Sequence, residues 1–196
     1  MKIYIIRHGE TEENVKKTYY GSIDCNLTEK GKTQAKALGN KLKDIEFDKI
    51  FCSERIRAKE TLRDIYLAND VIIDSRINER DFGIFEGRTF SELQIELKEE
   101  YDKWAVDWKD YCPENGESFR DVYVRVRSFM EDMKKEEAEN KNILVCTHGG
   151  IIRAIYAYIL DENLDTYWRF ASKNADISVL NLEYGYFYID SIIPVD

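Results

Sequence analysis

Short apolar runs alternate along the chain with segments in which apolar residues recur at helical spacing. Residues 2–6, 49–52, 71–74 and 142–147 form runs of strand length. The first and the last are continuously apolar, which is typical of central strands covered on both faces. Strands that alternate with helices form βαβ units. The pattern therefore predicts an α/β fold of three layers, α/β/α, around a mostly parallel central sheet.

Helical periodicity is clear in three segments. Behind Thr28, a suitable N-cap, apolar residues recur at positions 35, 38, 42 and 45, and they recur at 58, 62 and 65 in the next segment. The third segment begins at Ser118, where the S-x-x-D pattern to Asp121 predicts a cap, and continues to Met133. Near the C-terminal end, residues 177–183 and 186–192 predict a hairpin at the sheet edge.

Length and charge limit the number of domains and the class of partner. With 196 residues, of which 43% are hydrophobic, the chain is expected to form a single domain over 1–196. The net charge of −9 is unsuited to a nucleic-acid partner, which requires a basic field. A small anionic substrate is compatible with it, because an arginine about 4 Å from a phosphate contributes roughly 4 kcal/mol at an effective dielectric constant of 20.

The spacing of the cysteines indicates the redox state of the cellular compartment in which the protein works. Cys25, Cys52, Cys112 and Cys146 are widely spaced and include no C-x-x-C pair. This spacing matches neither a zinc site nor a secreted disulfide framework, so we expect reduced thiols and a cytoplasmic location. The apolar run near the N-terminus is too short for a signal peptide, and no segment reaches transmembrane length. We therefore expect no membrane partner.

The chain contains only two histidines, and both lie at the end of a predicted strand, directly before glycine. His8 follows the first apolar run and His148 follows the run 142–147. In α/β folds, reactive groups are placed where a buried strand ends in a turn, and histidine changes its charge near neutral pH. Two histidines in this position predict one shared site.

The histidine segments and the segments between them resemble, in order, the motifs of the histidine phosphatase (phosphoglycerate mutase-like) superfamily. The first motif is Arg7-His8-Gly9-Glu10-Thr11 with Asn14, and the last is Thr147-His148-Gly149-Gly150. A series of ordered blocks over residues 3 to about 155 is far more specific than an isolated R-H-G. The motifs between the two ends are Gly21, Leu27-Thr28, Gly31 and Gln34-Ala35; Ser53, Arg57-Ala58 and Thr61; residues 78–83 with 85–87; and Gly116-Glu117-Ser118.

The resemblance implies a role for each matching residue. His8 would be the nucleophile that is transiently phosphorylated, and Glu79 the proton donor. Arg7 and Arg57 would grip the phosphate with forked donors that stay charged. His148 and Asn14 would hold phosphoryl oxygens. Further substrate contacts are implied for Gly21, Ser22, Arg80 and Gly149, and neither a metal nor another cofactor is implied.

Each of these residues also has a plain structural interpretation. His8 could be a core histidine bonded to a backbone carbonyl, His148 a packing residue, and Arg57 a solvated or ion-paired helix residue. Asn14 could be a helix cap, and Glu79 could form a surface salt bridge with Arg80. Structural roles are expected for four further residues in or near the motifs: Glu10, Glu86, Glu117 and Arg153.

The function that follows from the resemblance is metal-independent hydrolysis of a small phosphorylated metabolite through a phosphohistidine, with a specificity like α-ribazole phosphatase or a broad one. Two alternatives are a cofactor-dependent phosphoglycerate mutase and a non-catalytic scaffold that binds a phosphorylated ligand. Residues 89–119 contain no arginine for a substrate carboxylate, which favours hydrolysis. Residues 88–115 are expected to be a lid or specificity insertion, in which Tyr101, Trp104 and Trp108 form either core or lid. The oligomeric state is left open.

Overall fold

A six-stranded sheet forms the centre of the computed structural model, which describes residues 1–65, 70–138, 140–160 and 163–195. The strands lie in the order β3-β2-β4-β1-β5-β6. Neighbours are parallel from β3 to β1, whereas β5 and β6 run antiparallel at the other edge, so the sheet is mostly parallel as predicted. The strands are β1 (Lys2–Arg7), β2 (Lys49–Cys52), β3 (Val71–Ile73), β4 (Asn142–Thr147), β5 (Ile177–Glu183) and β6 (Tyr186–Ile193).

The helices of the described residues are α1 (Glu12–Lys16), α2 (Glu29–Leu42), α3 (Ile56–Ile65), α4 (Phe90–Glu96), α5 (Lys98–Val106), α6 (Phe119–Lys135) and α7 (Gly149–Leu160). Short 3₁₀ turns occupy Ser75–Ile77, Gly83–Phe85 and Tyr167–Arg169. The predicted N-caps of α2 and α6 are confirmed. The Thr28 side chain accepts a hydrogen bond from the Gly31 amide, and Ser118 forms a capping box with Asp121. Ile45 was expected to continue α2, but the helix ends at Leu42, and Ile45 packs against the core from the turn that follows.

Helices cover both faces of the sheet, and the alternation of side chains along β1 shows why. Ile3 and Ile5 face the core formed with α6 and α7, whereas Tyr4 and Ile6 face the core formed with α2 and α3. The prediction of a single-domain, three-layer α/β fold is therefore confirmed. No helix among the described residues is both long and apolar enough to cross a bilayer.

The segment 88–115 contains α4 and α5 and packs on the core that contains α6 and α7. Trp104 is buried there, and Tyr101 and Trp108 pack against the same core while partly exposed. Trp108 lies beyond the end of α5, so only Tyr101 and Trp104 share a helix. These contacts explain the aromatic residues as packing, and a lid function for the segment remains a prediction.

Candidate active site

The carboxyl ends of β1, β2 and β4 meet at one edge of the sheet and bring both histidines together. Arg7 is paired in register with Thr147, and the His8 amide donates to the Thr147 carbonyl at 3.0 Å. The imidazole rings of His8 and His148 lie 5.1 Å apart between centroids, inclined at 58°. The two residues are 2% and 0% exposed. One buried site therefore contains both rings, although 140 positions separate them in the chain.

His8 is held in the form that a nucleophile requires. Its Nδ1 donates to the Gly9 carbonyl at 2.7 Å, which leaves Nε2 with a free electron pair. The Gly9 amide is fixed in turn by the Thr61 hydroxyl at 3.0 Å. Burial, with the cationic Arg57 and Arg7 close by, lowers the pKa of His8 well below 6.5. The ring is therefore neutral at pH 7.

His148 belongs to a chain of hydrogen bonds. Its Nδ1 accepts from Nε of Arg57 at 3.2 Å, so Nε2 carries the proton and donates to the Ser53 hydroxyl at 2.7 Å. The Ser53 hydroxyl in turn donates a hydrogen bond to Oδ1 of Asn78 at 2.8 Å. Burial and the nearby charge of Arg57 lower the pKa of His148 well below 6.5. Both ring nitrogens are thus engaged with protein groups, which keeps the ring neutral and fixed.

Arg57 is neither solvated nor ion-paired, because its side chain is fully buried in the site. Besides the bond to His148, Nη1 donates to the Ile23 carbonyl at 2.9 Å and Nη2 to the Gly21 carbonyl at 3.0 Å. The Tyr20 ring covers the guanidinium at 4.6 Å. A guanidinium has five N–H groups, so each Nη keeps one hydrogen for a ligand.

Arg7 places a second guanidinium in the site. Its Nη1 donates to the Ser172 carbonyl, and its Nε is buried without a partner among the described residues. A Cβ on Gly149 would lie 3.2 Å from Cζ of Arg7, so glycine lets this side chain lie close against the start of α7. An unpaired buried N–H is costly, and a phosphate oxygen would satisfy it.

Glu79 is held by backbone amides and not by a salt bridge with Arg80. Its Oε1 accepts from the Arg80 amide and its Oε2 from the Gly150 amide in the first turn of α7, both at 3.0 Å. A Cβ on Gly150 would lie 2.3 Å from Glu79 Oε1 and 3.0 Å from the Tyr167 hydroxyl. Gly150 is therefore required for the carboxyl group to reach this position.

The Arg80 side chain lies among aromatic rings. Its guanidinium stands 4.2 Å from the Phe119 ring centroid and 5.5 Å from that of Trp104, and Nε donates to the Glu117 carbonyl at 2.7 Å. Both Nη atoms are buried and lack a partner in the part of the chain that the structure describes. No hydrogen bond joins this side chain to the histidines within the described residues.

Gly21 and Ser22 contribute differently from what the resemblance implies. Their amides donate to the Glu86 carboxylate at 2.9 and 3.0 Å, so these N–H groups are already used. The same carboxylate accepts from the amides of Ile23 at 3.3 Å and Phe82 at 2.9 Å. Glu86 thereby fixes the loop whose carbonyl groups hold Arg57. Its structural role was expected, but its connection to Arg57 was not.

Asn14 is part of a helix cap, which is the structural role considered for it. With Thr11 it forms the capping box of α1, and its Oδ1 also accepts from Nδ2 of Asn174 at 3.0 Å. Asn174 Nδ2 also lies 3.0 Å from the His8 carbonyl oxygen. The Nδ2 group of Asn14 makes no hydrogen bond to the described residues, so it is free to meet a ligand.

Several site residues were missed by the sequence analysis. Ser53, Thr61 and Asn78 stood inside motifs but received no role, and their motif positions were the available signal. Tyr20, Tyr167 and Asn174 follow no local pattern that indicates a site. The acidic residues Glu10 and Glu117 are ion-paired with Lys30 and Arg125, in agreement with the structural roles expected for them. Nowhere among the described residues do three or more His, Cys, Asp or Glu side chains converge as a possible metal-ligand set.

The fold and the paired histidines define a class of protein, and comparison with known sequences agrees. Residues 3–193 match the model of the histidine phosphatase superfamily, branch 1, and the chain belongs to this family. The predicted family membership is therefore confirmed.

Individual relatives make the class more specific. The chain is 34% identical to the adenosylcobalamin/alpha-ribazole phosphatase of Salmonella typhimurium, covering 95% of this chain and 93% of that one. It is 33% identical to phosphoserine phosphatase 1 of Hydrogenobacter thermophilus, covering 93% and 87%. The crystal structure of the alpha-ribazole phosphatase from Shigella flexneri superposes with a TM-score of 0.92 at 31% identity and covers both chains fully. These relatives are phosphatases, so the chain is a histidine-phosphatase-type phosphomonoesterase.

Proposed function

We propose that this protein hydrolyses small phosphorylated metabolites through a phosphohistidine formed on Nε2 of His8. The observation that carries the proposal is a neutral, buried imidazole whose free Nε2 lies beside two guanidinium groups with unused N–H donors. Such donors stabilise the charge that develops on a phosphoryl group during transfer.

In the first step, the electron pair of His8 Nε2 attacks phosphorus in line with the ester oxygen. The N–P bond forms as the P–O bond to the alcohol breaks, and protonated Glu79 gives its proton to the departing oxygen. The amides of Arg80 and Gly150 keep the carboxyl group in place for this transfer.

In the second step, water attacks the phosphohistidine. The Glu79 carboxylate accepts a proton from the water, a new P–O bond forms, and the N–P bond breaks to return the electron pair to His8. Inorganic phosphate leaves, and Glu79 is protonated for the next cycle. The steps balance with substrate and water alone, and no metal or other cofactor takes part.

The oxygen contacts follow from the donors that remain unused. Arg7 supplies Nε, Arg57 one hydrogen on each Nη, and Asn14 its Nδ2. The first amide of α7, at Gly149, lies at a helix N-terminus, which favours an anion. Arg80 has two unpaired Nη groups and is proposed to meet the leaving group rather than the phosphoryl oxygens.

Three predicted substrate contacts, those of His148, Gly21 and Ser22, take a different form in this proposal. His148 can donate to phosphate only after its Nδ1 gives up the hydrogen bond from Arg57 and binds a proton. An incoming phosphate dianion would promote this protonation, because its charge offsets the charges of the arginines. Gly21 and Ser22 act through the loop that holds Arg57.

We further propose that the enzyme works in the cytoplasm, since its four cysteines are free in the structure and unsuited to a disulfide framework.

Trapping of the phosphoenzyme tests this proposal. Wild-type enzyme mixed with a ³²P-labelled phosphomonoester should yield an acid-labile label, His8→Ala should yield none, and Glu79→Gln should hold the label longer. Turnover should be unchanged by a chelator. Label on His8→Ala would overturn the role of His8, and absence of any turnover would favour the phospho-ligand scaffold.

The mutase alternative has its own test. 3-Phosphoglycerate is supplied with its bisphosphate primer, and both isomerisation and free phosphate are measured. Release of phosphate supports the hydrolase, whereas isomerisation without it would establish a mutase. A screen of α-ribazole phosphate, sugar phosphates, nucleotides and phosphoamino acids then decides between an α-ribazole phosphatase-like and a broad specificity.

A further inference from the structure

Arg153 is a cation beside the active site that the proposed chemistry does not use. Its Nε donates to the Phe170 carbonyl at 3.0 Å, and its guanidinium lies 5.1 Å from the centroid of the Trp168 ring. It forms no ion pair with a carboxylate of the described residues, and its Nη groups have no protein partner there. One N–H thus anchors the side chain, while the fork of the guanidinium stays available.

The place of Arg153 on α7 directs it toward the leaving-group side of the site. It lies one turn beyond Gly149 and Gly150, and helical side chains point back toward the N-terminus of their helix. Arg153 therefore lies on the same helix face as the turn whose Gly150 amide holds Glu79, the proposed proton donor to the leaving group. Its charge also acts on groups of the site. Burial lowers the pKa of Arg7 and raises that of the Tyr167 phenol, and the charge of Arg153 adds to the first shift and opposes the second.

Trp168 provides an apolar surface next to the Arg153 guanidinium. The indole is 53% exposed, although its ring lies 4.9 Å from that of Tyr167 and 5.7 Å from those of Trp108 and Phe119. Its ring also orients the Arg153 guanidinium by a cation–π contact. An exposed indole and a guanidinium whose Nη donors are unused thus lie together, and the guanidinium belongs to the helix whose first turn holds Glu79.

We infer that Arg153 and Trp168 form the leaving-group subsite and select phosphomonoesters whose alcohol carries a second anionic group, either a carboxylate or another phosphate. The inference rests on the proposed function and narrows its substrate class. A guanidinium fork matches both anions, because each presents oxygens to two parallel N–H donors. An alcohol without a second anionic group would make no charge-assisted contact with Arg153.

A pair of substrates that differ by one carboxylate tests the subsite. O-Phosphoserine and phosphoethanolamine have the same phosphate and amine, and the ratio of their kcat/KM values measures the preference for the carboxylate. Propane-1,3-diol bisphosphate against the monophosphate measures the preference for a second phosphate. Wild type should prefer the anionic member in at least one pair. Arg153→Gln should reduce that preference about tenfold, mainly through KM, as expected for one charge-assisted contact.

Control variants separate binding from structural support. Arg169→Gln removes the same charge from the neighbouring exposed segment and should leave both ratios unchanged. Trp168→Leu keeps Arg153 but removes the stacked ring, and should lower the preference in the same direction by about two- to threefold. If Arg153→Gln fails to fold, Trp168→Leu and Arg153→Lys carry the test.

The outcomes distinguish this inference from the proposed function. If no substrate is hydrolysed and no phosphoenzyme forms, the proposed function itself fails. If hydrolysis proceeds through His8 but wild type shows no preference for the substrate with the second anionic group in either pair, the subsite is refuted. An equal loss on anionic and neutral substrates in Arg153→Gln would show that Arg153 only supports the Phe170 segment, and that result also refutes it.

Discussion

Nε of Arg57 donates a hydrogen bond to Nδ1 of His148 across 3.2 Å. The bond requires a neutral His148, and it aligns a guanidinium whose other nitrogens are held by two carbonyl groups of the loop after α1. The loop, α3 and the end of β4 are thereby joined at one buried point beside His8. Protonation of His148 would break this bond, so the charge state of His148 decides whether its Nδ1 holds Arg57 or can donate to a ligand.

The ring protons of the histidines provide a direct test of their charge state, because the chain has only two of them. Burial and the arginine charges hold both pKa values well below 6.5, so neither imidazole should titrate between pH 6 and 8 in NMR spectra of labelled histidine. Arg57→Gln removes one of the charges that lower these pKa values, and both should rise. A wild-type ring that titrates near pH 6.5 would contradict the neutral site.

The same shifts predict how stability depends on pH. Well above pH 6.5 both histidines are neutral in the folded and in the unfolded chain. As the pH falls below 6.5, the unfolded chain binds protons that the folded chain does not, so the free energy of unfolding decreases. Two such groups give a slope of up to about 2.7 kcal/mol per pH unit.

Urea denaturation between pH 7.5 and pH 5 measures this slope, above the range in which most carboxylates titrate. His148→Asn removes one of the two groups and should roughly halve the slope, whatever its effect on stability at pH 7.5. A slope that is equal in wild type and in this variant would contradict the assignment.

Glu86 is expected to be essential for the loop that holds Arg57. Glu86→Gln leaves one acceptor oxygen for four amides and replaces the other with a donor, which should cost about 1–3 kcal/mol of stability. The affinity for inorganic phosphate should fall as Arg57 loses its support. Glu96→Gln breaks only an exposed pair with Arg88 and serves as the matched control. Wild-type phosphate affinity in Glu86→Gln would separate the loop from Arg57.

Gly150→Ala should displace Glu79, since the new methyl group would lie 2.3 Å from its carboxyl oxygen. Proton donation matters most when the alcohol is a poor leaving group. The variant should therefore lose about a hundredfold in kcat/KM on an alkyl phosphate and far less on p-nitrophenyl phosphate. Glu79→Gln should show the same dependence on the leaving group. Equal losses on both substrates would instead indicate a general disturbance of α7.

Part of the site could be predicted from local patterns because its parts are local. The apolar runs before His8 and His148 establish that both histidines end buried strands, and parallel strands end at the same sheet edge. The R-H-G-E-T and T-H-G-G motifs then supply the chemistry. The extent of α2 was overestimated at Ile45, because the spacing of apolar residues continues beyond Leu42 although the backbone leaves the helix there.

By itself, the sequence determined the succession of strands and helices along the chain and the burial of the central strands on both faces of the sheet. It also determined which groups carry charge or a reactive nitrogen. Tertiary structure alone decided which of these groups meet. Arg57 and His148 are 91 positions apart, and Glu86 is 65 positions from Gly21. Periodicity reports how one segment faces the core, and it contains no information on which distant polar groups pair. Those pairings depend on how the packed layers place each loop, because a buried polar group must find its partner wherever the fold brings one.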